Sequence, residues 1–311
     1  MVLARSAWMC LFPLAATLAA GAVARGGGMK VVVAEDKASV DIEEGGKLVL
    51  RYHFGTAPLP EGIAPRYACG GYIHPLCGPD GEVLTDAHPK DHPHHRGVMW
   101  SWPVLRWGSK TADPWAVSGV WTRPETLRTA AATAEGAHVA ASSLWKWGDK
   151  EPVLREELSI RAYPAQGRSR IVDIELAFEA LEDGVALGGR PQGGYGGFGI
   201  RFAPRKDQRI SVFTDPADAA PRRSWIEYSD TFAGGAERTA VAIFEHPSNP
   251  LYPNALHQYA NLNYVMPAFP GPREHPLPKG KPLVLRHRLW IHPGQAHPKA
   301  LAEQWDAYAR D

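Results

Sequence analysis

The sequence predicts an all-β protein: a large antiparallel two-sheet β-sandwich of the supersandwich type, with a short C-terminal helix. Three observations carry this. Several segments alternate apolar and polar residues with period two, the pattern of strands with one buried and one wet face. Glycine (31) and proline (28) together make up about a fifth of the 311 residues, which disfavours a helical bundle and favours short strands joined by turns. Helical periodicity is clear in one place only, at the end of the chain.

Lys47 to His53 alternates loosely. Val98-Met99-Trp100-Ser101-Trp102 alternates after a histidine-rich stretch, and Ile200-Arg201-Phe202 follows a glycine-rich one. Arg170 to Glu179 places Ile174, Leu176 and Phe178 on one face and Asp173, Glu175 and Glu179 on the other. Thr239 to Glu245 is rich in Ala, Val, Ile and Phe, as a buried strand is. Pro282 to His292 sets Leu283, Leu285, His287, Leu289 and Ile291 against Val284, Arg286, Arg288, Trp290 and His292. Pro298 then opens a helix in which Leu301, Trp305 and Tyr308 recur at three-to-four spacing, an apolar stripe suited to packing on a sheet edge or face. No internal repeat and no linker divides these segments, so residues 25–311 read as a single domain.

Composition narrows the function classes. Hydrophobic residues are 44% and charged residues 22%, ordinary for a globular protein, and the formal net charge is +1. No charge excess draws the whole chain to nucleic acid or to an anionic membrane. Arg5, the apolar run Ala7 to Val23 and Ala22-Val23-Ala24 have the three parts of a secretory signal peptide over residues 1–24, and imply a periplasmic or secreted protein that leaves the membrane after cleavage. An uncleaved anchor is the alternative. Export makes a disulfide between Cys69 and Cys77 feasible. On one straight strand their Cα atoms would lie ~26 Å apart, too far to bridge, whereas a turn at His74-Pro75 brings them together.

Histidine is the anomaly, with 13 copies, seven of them before proline. Proline holds the residue before it extended, which fixes such a histidine on a stiff loop or strand end. The densest cluster is Asp86-Ala87-His88-Pro89-Lys90-Asp91-His92-Pro93-His94-His95-Arg96-Gly97. Imidazole shuttles protons and binds metals near neutral pH, arginine offers a fork of donors for a carboxylate or a diol, and indole faces accept the apolar face of a sugar. On an extended backbone His92 and His94 point one way and His95 the other. A second group, Glu245-His246-Pro247-Ser248-Asn249-Pro250 with His257 and Tyr259, sits at a strand exit, well placed to line a cleft or to cap a turn. A third, Gly188 to Gly199, formally meets a dinucleotide spacing. It precedes a strand rather than opening a helix, so close backbone approach to a ligand explains its glycines better. Gln192, Tyr195 and Arg201 are its side chains able to meet a substrate. No Gly-x-Ser-x-Gly elbow is present, which directs attention to general acid/base rather than covalent chemistry.

These motifs resemble the secreted bacterial family known as PmoA-like, or methane oxygenase PmoA. The resemblance rests on His74-Pro75-Leu76, Gly78-Pro79-Asp80-Gly81, Asp91-His92-Pro93-His94-His95-Arg96-Gly97, Gly193 to Phe198, His246 to Pro250, Gly280-Lys281-Pro282-Leu283 and His292-Pro293-Gly294. Cys77 departs from it, standing where an aromatic is expected. The resemblance implies no defined activity: a methane monooxygenase subunit spans the membrane several times, and after the signal segment no apolar run here is long enough to span. The strand closing in His-Pro-Gly is also similar to galactose-mutarotase-like proteins, which implies a large two-sheet sandwich binding sugar in a concave face with His and Glu as acid and base. The resulting expectation is a secreted carbohydrate-active protein with a sugar or glycan as partner. His92, His94, His95 and His246 are the catalytic candidates; Arg96, Trp100, Gln192, Tyr195, Asn249 and His257 are the binding candidates. One histidine moves a proton at a sugar hydroxyl or ring oxygen while Arg96 and Asn249 orient the hydroxyls, in an epimerase, lyase or hydrolase. On this reading one of His92 and His94 lies within ~10 Å of His246 or His257, and Trp100 or Trp102 walls the site. Two alternatives stand beside it: a non-catalytic glycan-binding module, and a metal-dependent oxidoreductase using the Asp91–His95 cluster. No cofactor is expected on the first reading; on the last, a divalent metal sits at Asp91, His92 and His94.

Overall fold

A computed structural model describes residues 28–205 and 207–311. The signal segment expected over residues 1–24 lies outside them. Among the described residues the chain forms twenty strands, numbered in chain order, and one α-helix. One eight-stranded sheet runs β1 (Met29–Val33), β2 (Ser39–Glu44), β3 (Lys47–His53), β4 (Tyr72–Leu76), β5 (Val98–Ser101), β13 (Gly197–Arg201), β18 (Tyr264–Ala268) and β17 (Ala255–Tyr259). The other runs β14 (Arg209–Thr214), β15 (Ser224–Asp230), β16 (Thr239–Glu245), β20 (Leu283–Pro293), β11 (Arg170–Ala180), β10 (Glu151–Ala162), β9 (Gly136–Trp147) and β8 (Val120–Thr133). All paired strands are antiparallel. The fold is the all-β class the alternation predicts. It adds a third sheet of four strands, β19 (Glu274–Leu277), β12 (Val185–Gly188), β6 (Val104–Trp107) and β7 (Lys110–Ala112), whose Leu105, Leu187 and Leu277 join the same core.

The inner faces make that core. Ile174, Leu176 and Phe178 of β11, Leu285 and Leu289 of β20, and Val241 and Ile243 of β16 meet Ile42, Tyr52, Ile73, Val98 and Ile200 of the first sheet. Trp100 and Trp102 also point inward, and Trp102 Nε1 donates to Phe269 O at 2.8 Å. The outer faces are covered as well. The helix α1 (Pro298–Tyr308), capped by His297, lays Leu301, Trp305 and Tyr308 on Trp225, Ala242 and Phe244 of the second sheet. The outer face of the first sheet carries Tyr72, Met99, Tyr264 and Met266, and loops cover it. Cys69 and Cys77 are both buried and unbonded to each other. No helix among the described residues is long and apolar enough to cross a membrane.

Two carboxyls lie in the core. Glu156 on β10 accepts from Trp145 Nε1 at 2.8 Å and has one oxygen without a partner; burial pushes it up from 4.5 to about 7. Glu245 accepts from Asn254 N and Nδ2, and burial raises it likewise to about 7. A carboxyl raised in the folded state favours folding while protonated. Its contribution is complete below pH 4.5 and is lost as pH rises through about 7. Glu156→Gln escapes that loss. Its stability relative to wild type is therefore expected to grow between pH 5 and pH 8 by up to about 3 kcal/mol, at about 1.4 kcal/mol per pH unit. Urea titrations of both proteins at the two pH values measure this; an unchanged difference contradicts it.

Candidate functional site

The histidine-rich segment folds back on itself. Ala87 pairs with Arg96, His88 N donates to His95 O, and Gly97 N donates to Asp86 O. Its base is stitched to β13, since Asp86 N donates to Arg201 O at 3.0 Å and Arg201 N to Gly97 O at 2.9 Å. Gly97 is required there. Its φ is +60°, and a Cβ would sit 2.3 Å from Ile73 O. The tip consists of two successive turns, with His92 N donating to Pro89 O and His95 N to His92 O. His88 Nδ1 donates to Pro93 O at 2.8 Å and holds the tip down.

These turns overturn the extended geometry expected for the segment. His92, His94 and His95 do not diverge; their rings converge. Ring centroids lie 4.9 Å apart for His92 and His95, 4.6 Å for His94 and His95, and 5.6 Å for His92 and His94. His92 Nδ1–H donates to Asp91 Oδ2 at 3.0 Å, which leaves Nε2 as a lone-pair acceptor. Arg201 Nη2 donates to both Asp91 oxygens at 3.1 Å, and its Nη1 donates to His95 Nδ1 at 3.3 Å. A guanidinium only donates, so His95 is neutral with its proton on Nε2. Burial alone would raise the Asp91 carboxyl, but hydrogen bonds from His92 and Arg201 outweigh it and hold it at about 2. Burial, reinforced by neighbouring cations, lowers His94 to about 4 and His95 to about 2. The site therefore holds an ionised carboxylate beside two imidazoles that stay neutral throughout the physiological range.

An aromatic wall continues from the trio. Trp115 lies 5.8 Å from His95 and 5.3 Å from Tyr195; Tyr264 lies 4.7 Å from His95; Tyr195 lies 6.4 Å from Tyr259. Arg190 Nε donates to Tyr195 Oη at 2.9 Å and Nη2 to Asp113 at 3.0 Å, tying the glycine-rich loop to the loop that bears Trp115. His257 pairs with Met266 across β17 and β18 and so shares the outer face of Tyr264. Its Nδ1 lies 3.1 Å from Tyr259 Oη, at the far end of the wall.

Other candidates fall elsewhere. His246 is on the outer face of the second sheet, against Tyr308 of α1 at 5.2 Å, with the whole core between it and the trio. The shared site of the two histidine groups therefore fails for His246, because β16 sends alternate residues out on the other side of the sandwich. Asn249 makes two hydrogen bonds to the backbone of Arg286 and extends the sheet beyond the end of β16, a structural role. Trp100 and Trp102 are core residues, not a wall. Gln192 is exposed at the tip of the turn from Arg190 to Tyr195. Arg96 is buried beside Tyr72, with Nη1 2.9 Å from Cys69 Sγ. Among the described residues no three His, Cys, Asp or Glu side chains are arranged to hold a metal ion. Sequence reasoning missed Trp115 and Tyr264. Tyr264 heads a short apolar strand, and an aromatic beside a left-handed Asn263 is a weak signal. Trp115 sits in a turn and carries none.

The tautomers are measurable. Nitrogen-15 spectra are expected to show the neutral form of His92 carrying its proton on Nδ1 and His95 carrying its proton on Nε2, with His94 untitrated down to about pH 5. Asp91→Asn is expected to move the His92 proton toward Nε2. A doubly protonated His95 at pH 7 contradicts the arrangement.

No curated protein and no solved structure matches the chain. One family model matches residues 39–306, from β2 into α1, and takes in all of the loops that build this site. Its description is a family of unknown function (DUF6807), and the chain belongs to that family.

Proposed function

We propose that the protein is a secreted carbohydrate-active enzyme that uses histidine acid/base chemistry on a sugar. The observation that carries this reading is the Asp91–His92 hydrogen bond inside the imidazole trio. Asp91 keeps the proton on His92 Nδ1 and presents Nε2 as a base; it also stabilises the imidazolium that forms when Nε2 takes a proton. His95, clamped in the opposite tautomer by Arg201, offers an Nε2–H to an oxygen that gains negative charge. A base and a neutral donor side by side suit proton abstraction from a sugar carbon or hydroxyl while a neighbouring oxygen is stabilised. That step is common to epimerisation and β-elimination, and hydrolysis needs the same pair. Tyr195 and Tyr259, half-buried and backed by the buried Trp115, supply flat faces for the apolar side of a pyranose, and Arg190 and His257 supply hydrogen bonds around it.

The resemblance to galactose-mutarotase-like proteins supports the sugar as substrate class through architecture alone, which is analogy at the level of the fold. The PmoA-like resemblance contributes no activity. The aromatic wall also favours a second reading, a glycan-binding module without turnover, because stacking faces alone bind sugars. Its affinity would depend on Tyr195 and Tyr259 and not on the Asp91–His92 pair.

A screen of monosaccharides and glycosides, read by NMR for binding and for product, tests both. On a substrate so found, His92→Gln is expected to lower turnover by about 10²–10⁴-fold with the fold intact. His246→Ala is expected to leave turnover within about twofold, since the core separates it from the trio. Full turnover by His92→Gln removes the catalytic assignment. Binding without turnover by wild type across the screen supports the module.

A further inference from the structure

Beneath the trio lies a set of donors without acceptors. Arg96 is 5% exposed, and among the described residues it forms no ion pair with a carboxylate. Its Nη1 reaches Cys69 Sγ at 2.9 Å, but its Nε is buried without a partner. The same Sγ lies 3.4 Å from Tyr67 O. Arg201 Nε and Tyr264 Oη are likewise buried and unpartnered. Arg201 and Tyr264 stand directly opposite each other on β13 and β18. Arg96 Cζ lies 6.0 Å from the centre of the Tyr72 ring, and Tyr72 belongs to the same packed cluster as Tyr264. Gly199 makes room for the Tyr264 ring itself, since a Cβ there would lie 2.2 Å from Tyr264 Oη.

On the outer face of the sheet the nearby carboxylates are committed; Glu156, with one oxygen unpartnered, lies on the core side. Asp91 accepts from Arg201 and His92, and Asp113 accepts from Arg190. Asp86 is half-buried, and desolvation disfavours its charge. A guanidinium taken out of water without a counter-ion is costly, and a fold retains one where an anion completes it. Two buried N–H groups that can only donate, beside a hydroxyl that can donate as well as accept, suit a partner rich in acceptors. A carboxylate is such a partner, and a planar one suits the guanidinium fork.

We propose that the site contains a preformed seat for a carboxylate, built by Arg96, Arg201 and Tyr264, and that its ligand is an acidic sugar of the uronate class. The sugar part of this statement rests on the carbohydrate reading above; the seat does not.

Calorimetric titration with D-glucuronate and D-galacturonate, their methyl esters, D-glucose and acetate tests it on the whole secreted chain. At least one uronate is expected to bind about tenfold or more tightly than its ester and than glucose. Arg96→Gln is expected to abolish that preference while Arg96→Lys keeps part of it. If Arg96→Gln does not fold, Tyr264→Phe is expected to weaken the uronate several-fold and leave the ester unchanged. Equal binding of a uronate and its ester overturns the seat and leaves the carbohydrate reading standing. Acetate binding as tightly as the uronates, with no binding of esters or glucose, supports the seat and removes the sugar. No heat from any carboxylate up to about 10 mM overturns the seat and leaves ordered water as the occupant.

Discussion

The Arg201 guanidinium is the interaction on which the rest of the site depends. It leaves β13 on the outer face of the first sheet and is almost wholly buried. One nitrogen grips both oxygens of Asp91 and another fixes the His95 tautomer, while the backbone of the same residue joins the base of the histidine loop. A buried cation must find acceptors, and the acceptors it finds are the groups that set the protonation of His92 and His95. The loop is thus locked in register and in charge by one side chain. β13 is a stiff place to anchor it: β5 and β18 pair with it on both sides, and Phe198 and Ile200 fill the core behind it.

Antiparallel pleating lets the same strands serve both ends. On β5, Val98 and Trp100 face inward and Met99 outward; on β18, Val265 faces inward, and Tyr264 and Met266 outward. On β13, Ile200 faces inward, and Gly199 and Arg201 share the site face. The site floor is therefore the reverse side of the core, and its precision derives from core packing. The second sheet uses its outer face differently. Trp225, Ala242 and Phe244 are apolar there and take α1, whereas the first sheet presents tyrosines, histidine and arginine under loops. His246 belongs to the helix-covered side and shares none of that chemistry.

The local pattern of the chain determined the all-β class, the strands Lys47–His53 and Thr239–Glu245, the inward face of the strand Leu283–Pro293 and the terminal helix. It also marked residues 86–97 as chemically unusual. All of these follow from side-chain periodicity and residue type over a few neighbours, which is what backbone geometry reads directly. Only the tertiary structure decided which of the marked residues meet. The trio converges because two turns, held by His88 and Arg201, replace the extended path that alternating prolines imply. Trp115 joins them from a loop, and Tyr264 from a strand more than 160 residues later in the chain. His246 and Trp100 are lost to the site because strand order and pleat send them to the other sheet's outer face and to the core. Partnership across a sheet depends on the order in which distant strands pair, and no local period in a single sequence encodes that order.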